Sequence, residues 1–75
     1  MTELVRNSDL KKTVSVHKVD SLRRALNLTE QELGDIMGIS GSSVSRRLRG
    51  MVPFTREELR RFAAQAHTEE GWFDA

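Results

Sequence analysis

The sequence predicts an all-α fold of four short helices around one small core. Three observations carry that expectation. A helix-start signal recurs at Thr29, Ser40 and Thr55. Gly38 and Gly50 fall just past the last apolar residue of two segments, where a left-handed terminator is usual. The apolar residues between these marks recur every three or four positions, as one face of a helix requires.

In chain order, residues 1–14 carry no helical periodicity and read as an arm or leader. Thr13 to Val16 alternates, but four residues are too few to define a strand. Val16, Val19, Leu22 and Leu26 form the stripe of a first helix, with Ser15 as its cap. Thr29 can cap the second, because its hydroxyl accepts from free N–H groups of the first turn. Glu32 closes the capping box, and Leu28 and Leu33 are spaced as a hydrophobic staple. That helix spans Thr29 to Gly38, and the next runs from Ser40 to Arg49, with Ile39 and Val44 as its staple. Pro53 prevents this third helix from continuing. The fourth starts at Thr55 with Glu58 and the pair Phe54 and Leu59, and runs towards His67. Leu59, Phe62, Ala63 and Ala66 form its buried stripe. Residues 15–67 are thus the domain, and 68–75 an acidic and aromatic tail. Trp72 and Phe73 are costly to leave in water. Packing on the first and fourth helices is the plainer use for them, a contact between copies the other. Met37 and Met51 read as core filler, and His17 and His67 as surface residues.

At 75 residues the chain has room for one domain near the lower limit of independent folding. Hydrophobic residues at 37% and charged ones at 31% indicate a globular protein. No apolar run approaches the ~20 residues of a membrane span, and the first residues lack the pattern of a signal peptide. The expected location is intracellular, in the cytoplasm. With no cysteine there is neither a disulfide framework nor a thiolate metal site. No nucleophile elbow, phosphate loop or zinc-binding helix occurs, and a domain this small has little room for a ligand pocket. The expectation is a binding protein, not an enzyme, without cofactor or metal.

Charge is sorted along the chain. All 12 basic side chains and 8 of the 11 acids lie in residues 1–61, giving +4, while residues 62–75 hold three acids and no base, giving −3. Between Ile36 and Arg56 there is no acid, yet Arg46, Arg47, Arg49 and Arg56 fall there. Such sorting matters more than the total of +1 for binding a polyanion.

Two short helices joined by a tight turn containing Gly make a helix-turn-helix, whose second helix can lie in the DNA major groove. One face of that helix must pack while the other offers donors to bases and phosphates. At ~100° per residue, Val44 and Leu48 share one side and Ser42, Ser45, Arg46 and Arg49 the other. The planar fork of Arg matches guanine O6 and N7, and Ser serves either bases or phosphates.

The stretch from Leu28 to Gly50, with Gly34, Gly38, Ile39, Ser40, Val44 and Gly50 in that order, resembles the helix-turn-helix of the phage repressor and Cro-like (Xre-type) family. With the flanking helices the likeness covers residues 16–66. The resemblance implies a compact four- to five-helix, lambda-repressor-like bundle. It also implies binding to palindromic operator DNA as a homodimer, to repress or switch transcription. It places DNA contacts at Ser40, Gly41, Ser42, Ser45 and Arg46, with Arg49 at the groove edge. Three positions depart from the family pattern. Glu30 stands where many members have a phosphate-binding Gln, and an acid there earns no contact. Gly41 replaces a longer polar residue. Arg47 replaces an apolar one, its stem covering the core edge while its head reaches phosphate.

Lys11 and Lys12 are candidates for a minor-groove arm or simply for solubility. Lys18, Arg23, Arg24, Arg56, Arg60 and Arg61 are candidates for phosphate clamps, although Arg60 and Arg61 can instead pair with Glu57. The functional expectation is a sequence-specific transcriptional regulator, a Cro-like or small repressor of phage or prophage type. Its rival is a protein-interaction module, an antitoxin or anti-repressor, gripping its partner through the tail.

Overall fold

A computed structural model describes residues 13–75 and contains four helices. These are α1 (Val16–Ala25), α2 (Glu30–Met37), α3 (Gly41–Leu48) and α4 (Arg56–Gln65), followed by a 3-10 turn at Glu70–Phe73. Each start is the one its cap dictates. Ser15, Thr29, Ser40 and Thr55 have extended backbones and accept from the backbone N–H three residues on. At Thr29 and Thr55 the returning bond from Glu32 or Glu58 completes the box. Thr29 and Thr55 thereby satisfy donors that a helix of eight or ten residues could not otherwise spare.

The ends differ more than the starts. Gly38 takes the left-handed conformation at φ 83°, as its position demands. Asn27 and His67 do the same at φ 58° without being glycine, so α1 and α4 close on residues that carry no Gly signal. Leu26 is consequently the cap of α1 and not part of its buried stripe, and it is exposed.

The core is Val19 from α1, Leu33 and Met37 from α2, Val44 from α3, and Phe54, Leu59, Phe62 and Ala63 around α4. Phe73 completes it from the tail, fully buried and stacked on Phe62 at 5.5 Å between ring centroids. The tail thus packs against α4 and α1, the plainer use for its aromatic pair. Trp72 remains 44% exposed, edge-on to Phe73 at 5.4 Å. The expectation for Met51 is overturned. It lies 65% exposed in the loop after α3, beyond the cap that ends the helix.

Residues 13–15 meet the chain's end. Val14 and Asp74 form an antiparallel bridge, Ser15 N–H donates to Phe73 O at 2.7 Å, and Ala75 N–H donates to Thr13 O at 2.8 Å. The alternating pattern at Thr13 to Val16 therefore marks this clasp, a single bridge instead of a strand. Lys18 adds a bond from Nζ to Asp74 O at 2.8 Å.

Candidate nucleic-acid interface

The α2–α3 turn is as tight as the backbone permits. A Cβ on Gly34 would lie 2.4 Å from Ile39 O and 3.1 Å from Ser40 C, so only glycine lets α2 approach the turn this closely. Gly38 and Ile39 then both donate to Gly34 O, at 2.7 and 2.9 Å. This contact fixes where α3 begins and therefore how it leaves the body of the protein.

On α3 the packing side is as the spacing requires. Val44 is fully buried and Leu48 packs against the core. Ser42, Arg46 and Arg49 are exposed, and Ser45 is half-buried. Ser40 is exposed, but its hydroxyl accepts from Ser43 N–H at 3.1 Å, so its first duty is to cap the helix. Gly41 is half-buried at the first turn.

Arg47, whose head the sequence expectation sent towards phosphate, is turned into the protein instead. Its Nε donates to Glu58 Oε1 at 2.8 Å and its Nη2 to Glu58 Oε2 at 3.0 Å. The two side chains retain only 14% and 7% exposure, so the charge is consumed inside the protein. The same Oε1 accepts from Thr55 N–H at 3.0 Å, which ties α3 to the start of α4 through one carboxylate. A bidentate guanidinium–carboxylate pair is both strong and directional.

The other candidate clamps are likewise occupied. Arg23 and Arg24 share Asp20, each at 2.8 Å. Partial burial pushes the Asp20 carboxyl up, but the hydrogen bonds and charges of the two guanidiniums outweigh it and hold the group below its ordinary value. Arg60 and Arg61 pair with Glu57 at 2.7 and 3.0 Å, the local pairing that their spacing allows. Arg56 pairs with Glu70. Lys18 lies over the Trp72 ring at 5.7 Å while bonding Asp74 O. Lys11 and Lys12 lie outside the described residues.

What remains is informative. Among the described residues, every Lys and Arg except Arg46 and Arg49 is held by a carboxylate or a carbonyl. These two make neither an ion pair nor a side-chain hydrogen bond there. Both lie at the same end of α3. A groove lined by Ser45, Leu48 and Arg49 from α3, Glu30 from α2 and His17, Asp20, Arg23 and Arg24 from α1 runs alongside. Glu30, half-buried, contributes a carboxylate to the wall of this groove beside Ser45 and Arg49.

Sequence reasoning missed Glu58 as a partner of Arg47 and missed Gln31, which lies against Gly41 at the start of α3. No helix among the described residues is long and apolar enough to cross a membrane.

A family model described as the antitoxin Xre-like helix-turn-helix domain matches residues 5–62. No curated protein and no solved structure matches the chain. The matched segment takes in α1, the tight turn at Gly34 to Ser40, the Ser/Arg face of α3 and most of α4. The chain belongs to the Xre-like helix-turn-helix family.

Proposed function

We propose that the protein is a sequence-specific DNA-binding regulator of the Cro-like or small-repressor kind, which lays α3 in the major groove of operator DNA and blocks transcription by occupancy. One observation carries the reading. The two guanidiniums left unneutralised among the described residues both project from the helix that the turn holds out. An unpaired Arg on a polar helix face keeps its fork free, and in a major groove that fork finds guanine O6 and N7. Ser42 and Ser45 supply further donors, and the free N–H groups at the start of α3 suit a phosphate.

A second copy belongs to this reading. An eight-residue helix reaches too few base pairs to be selective, and a symmetric pair reads two half-sites about 34–36 Å apart. Sedimentation of the free and DNA-bound protein tests it, and a monomer in both states counts against it.

The central test is Arg46→Ala in a gel-shift titration. Specific affinity should fall about 5- to 150-fold, equivalent to roughly 1–3 kcal/mol for one bidentate base contact. Non-specific binding should change much less. A phosphate contact would instead weaken all duplexes alike and lower the salt slope by about one. Unchanged operator affinity removes Arg46 from the interface. Glu30→Gln gives the opposite sign, because a carboxylate beside the groove repels the phosphate backbone. Several-fold tighter binding is expected at low salt, with the difference shrinking as salt screens it. No gain at low salt would remove Glu30 from the DNA-facing side.

The word antitoxin in the family description favours a second reading, in which the chain grips a protein partner. The tail is poorly placed to do this alone. Phe73 is buried in the core and Glu70 is held by Arg56, so only Trp72 offers an apolar face. Salt-independent behaviour towards DNA, together with protein capture that requires residues 68–75, would favour it.

A further inference from the structure

Gly41 opens α3 without a side chain, yet the space beside it is filled. A Cβ built there would lie 3.0 Å from Gln31 Oε1, 3.2 Å from Gln31 Cα and 3.3 Å from Gln31 N. A side chain at residue 41 would thus press both on the α2 backbone and on the carboxamide of Gln31, an exposed residue in the first turn of α2. Gln31 also makes a hydrogen bond one turn along its own helix, from Nε2 to Asp35 Oδ1 at 3.3 Å. That bond uses one of two amide hydrogens and turns Oε1 towards the start of α3.

We propose that Gln31 is a base-reading residue, supplied from α2 in place of the side chain that Gly41 lacks, and that it recognises adenine in each half-site. The proposal rests on the DNA-binding reading above. A carboxamide presents a donor and an acceptor in one plane, the pair that matches adenine N7 and N6 in the major groove. With Asp35 holding one Nε2 hydrogen, the second is available to N7, and Oε1 accepts from the N6 amino group. Residues 40–49 contain neither Asn nor Gln, so α3 itself offers no such group. Its guanidiniums select guanine, and its serines discriminate weakly. Gln31 therefore adds the adenine-reading capacity that α3 lacks.

The test is selection of bound sequences from random duplexes by the full chain, run in parallel for the natural protein, Gln31→Ala and Gly41→Ala. The natural protein should enrich a motif with guanines and one adenine in each half-site. Gln31→Ala should keep the guanines and lose the adenine preference, by roughly 5- to 150-fold against the other bases at that position. Gly41→Ala, whose methyl group would lie 3.0 Å from Oε1 and press the carboxamide aside, should weaken preference at the same base pair. The proposal is overturned if Gln31→Ala, folded by circular dichroism, selects the natural motif unchanged, or if it weakens every duplex equally. A natural protein that enriches no motif overturns both this proposal and the reading beneath it, which separates the two failures.

Discussion

Phe73→Ala is expected to destabilise the protein by about 3–5 kcal/mol, the usual cost of emptying a buried phenylalanine site. The residue is fully buried and stacks on Phe62, itself fully buried, so the loss falls at the centre of the core and not at its margin. Stacking of this kind adds roughly 0.5–1.5 kcal/mol to what burial alone supplies. A domain of 75 residues commonly has a total stability of roughly 4–11 kcal/mol. The variant should therefore be partly or wholly unfolded at room temperature. Urea melts followed by circular dichroism measure the loss. Trp72 fluorescence provides a local probe, because the indole lies edge-on to Phe73. A loss below about 1 kcal/mol would mean that the tail decorates the domain without completing it.

Glu58→Gln should cost about 3–5 kcal/mol by a different route. The substitution keeps the shape and still allows the amide oxygen to cap Thr55, but it leaves the Arg47 charge largely buried without its partner. Removing one member of a buried pair exacts the desolvation of the other. The double variant Arg47→Met with Glu58→Gln removes both charges and should recover most of the loss, since hydrophobic replacement of a whole buried pair is often neutral. It should also bind DNA nearly as well as the natural protein, because Arg47 lends no charge to the interface. Loss of DNA affinity in the refolded double variant would return Arg47 to the DNA-facing set. A double-variant loss equal to the sum of the losses of Glu58→Gln and Arg47→Met alone would show that the pair is not coupled.

Much of this was legible in the sequence because its signals are local. A cap and its box involve residues three positions apart, so Thr29 with Glu32 and Thr55 with Glu58 can be recognised without knowing the fold. The Ser/Arg face of α3 follows from helical spacing and Gly38 from its place just past the last apolar residue, whereas Gly34 was marked only by the family resemblance. The Arg47 to Glu58 pair was not legible, since its members are eleven positions apart on different helices and Glu58 already had a role in its capping box. Gln31 was missed for a related reason: helical spacing sorts residues on α3 alone and says nothing of a neighbour that fills the gap at Gly41. Met51 illustrates the limit of composition. Its apolar character suggested the core, but the loop after Gly50 carries it into solvent. The clasp at Val14 and Asp74 joins segments at opposite ends of the chain, too short for either to announce a strand.

Pinning Thr13 to Ala75 brings the first and last described residues together at one spot. Fraying at either side must therefore break the same backbone bonds, and opening the clasp also loosens the strip that carries the buried Phe73.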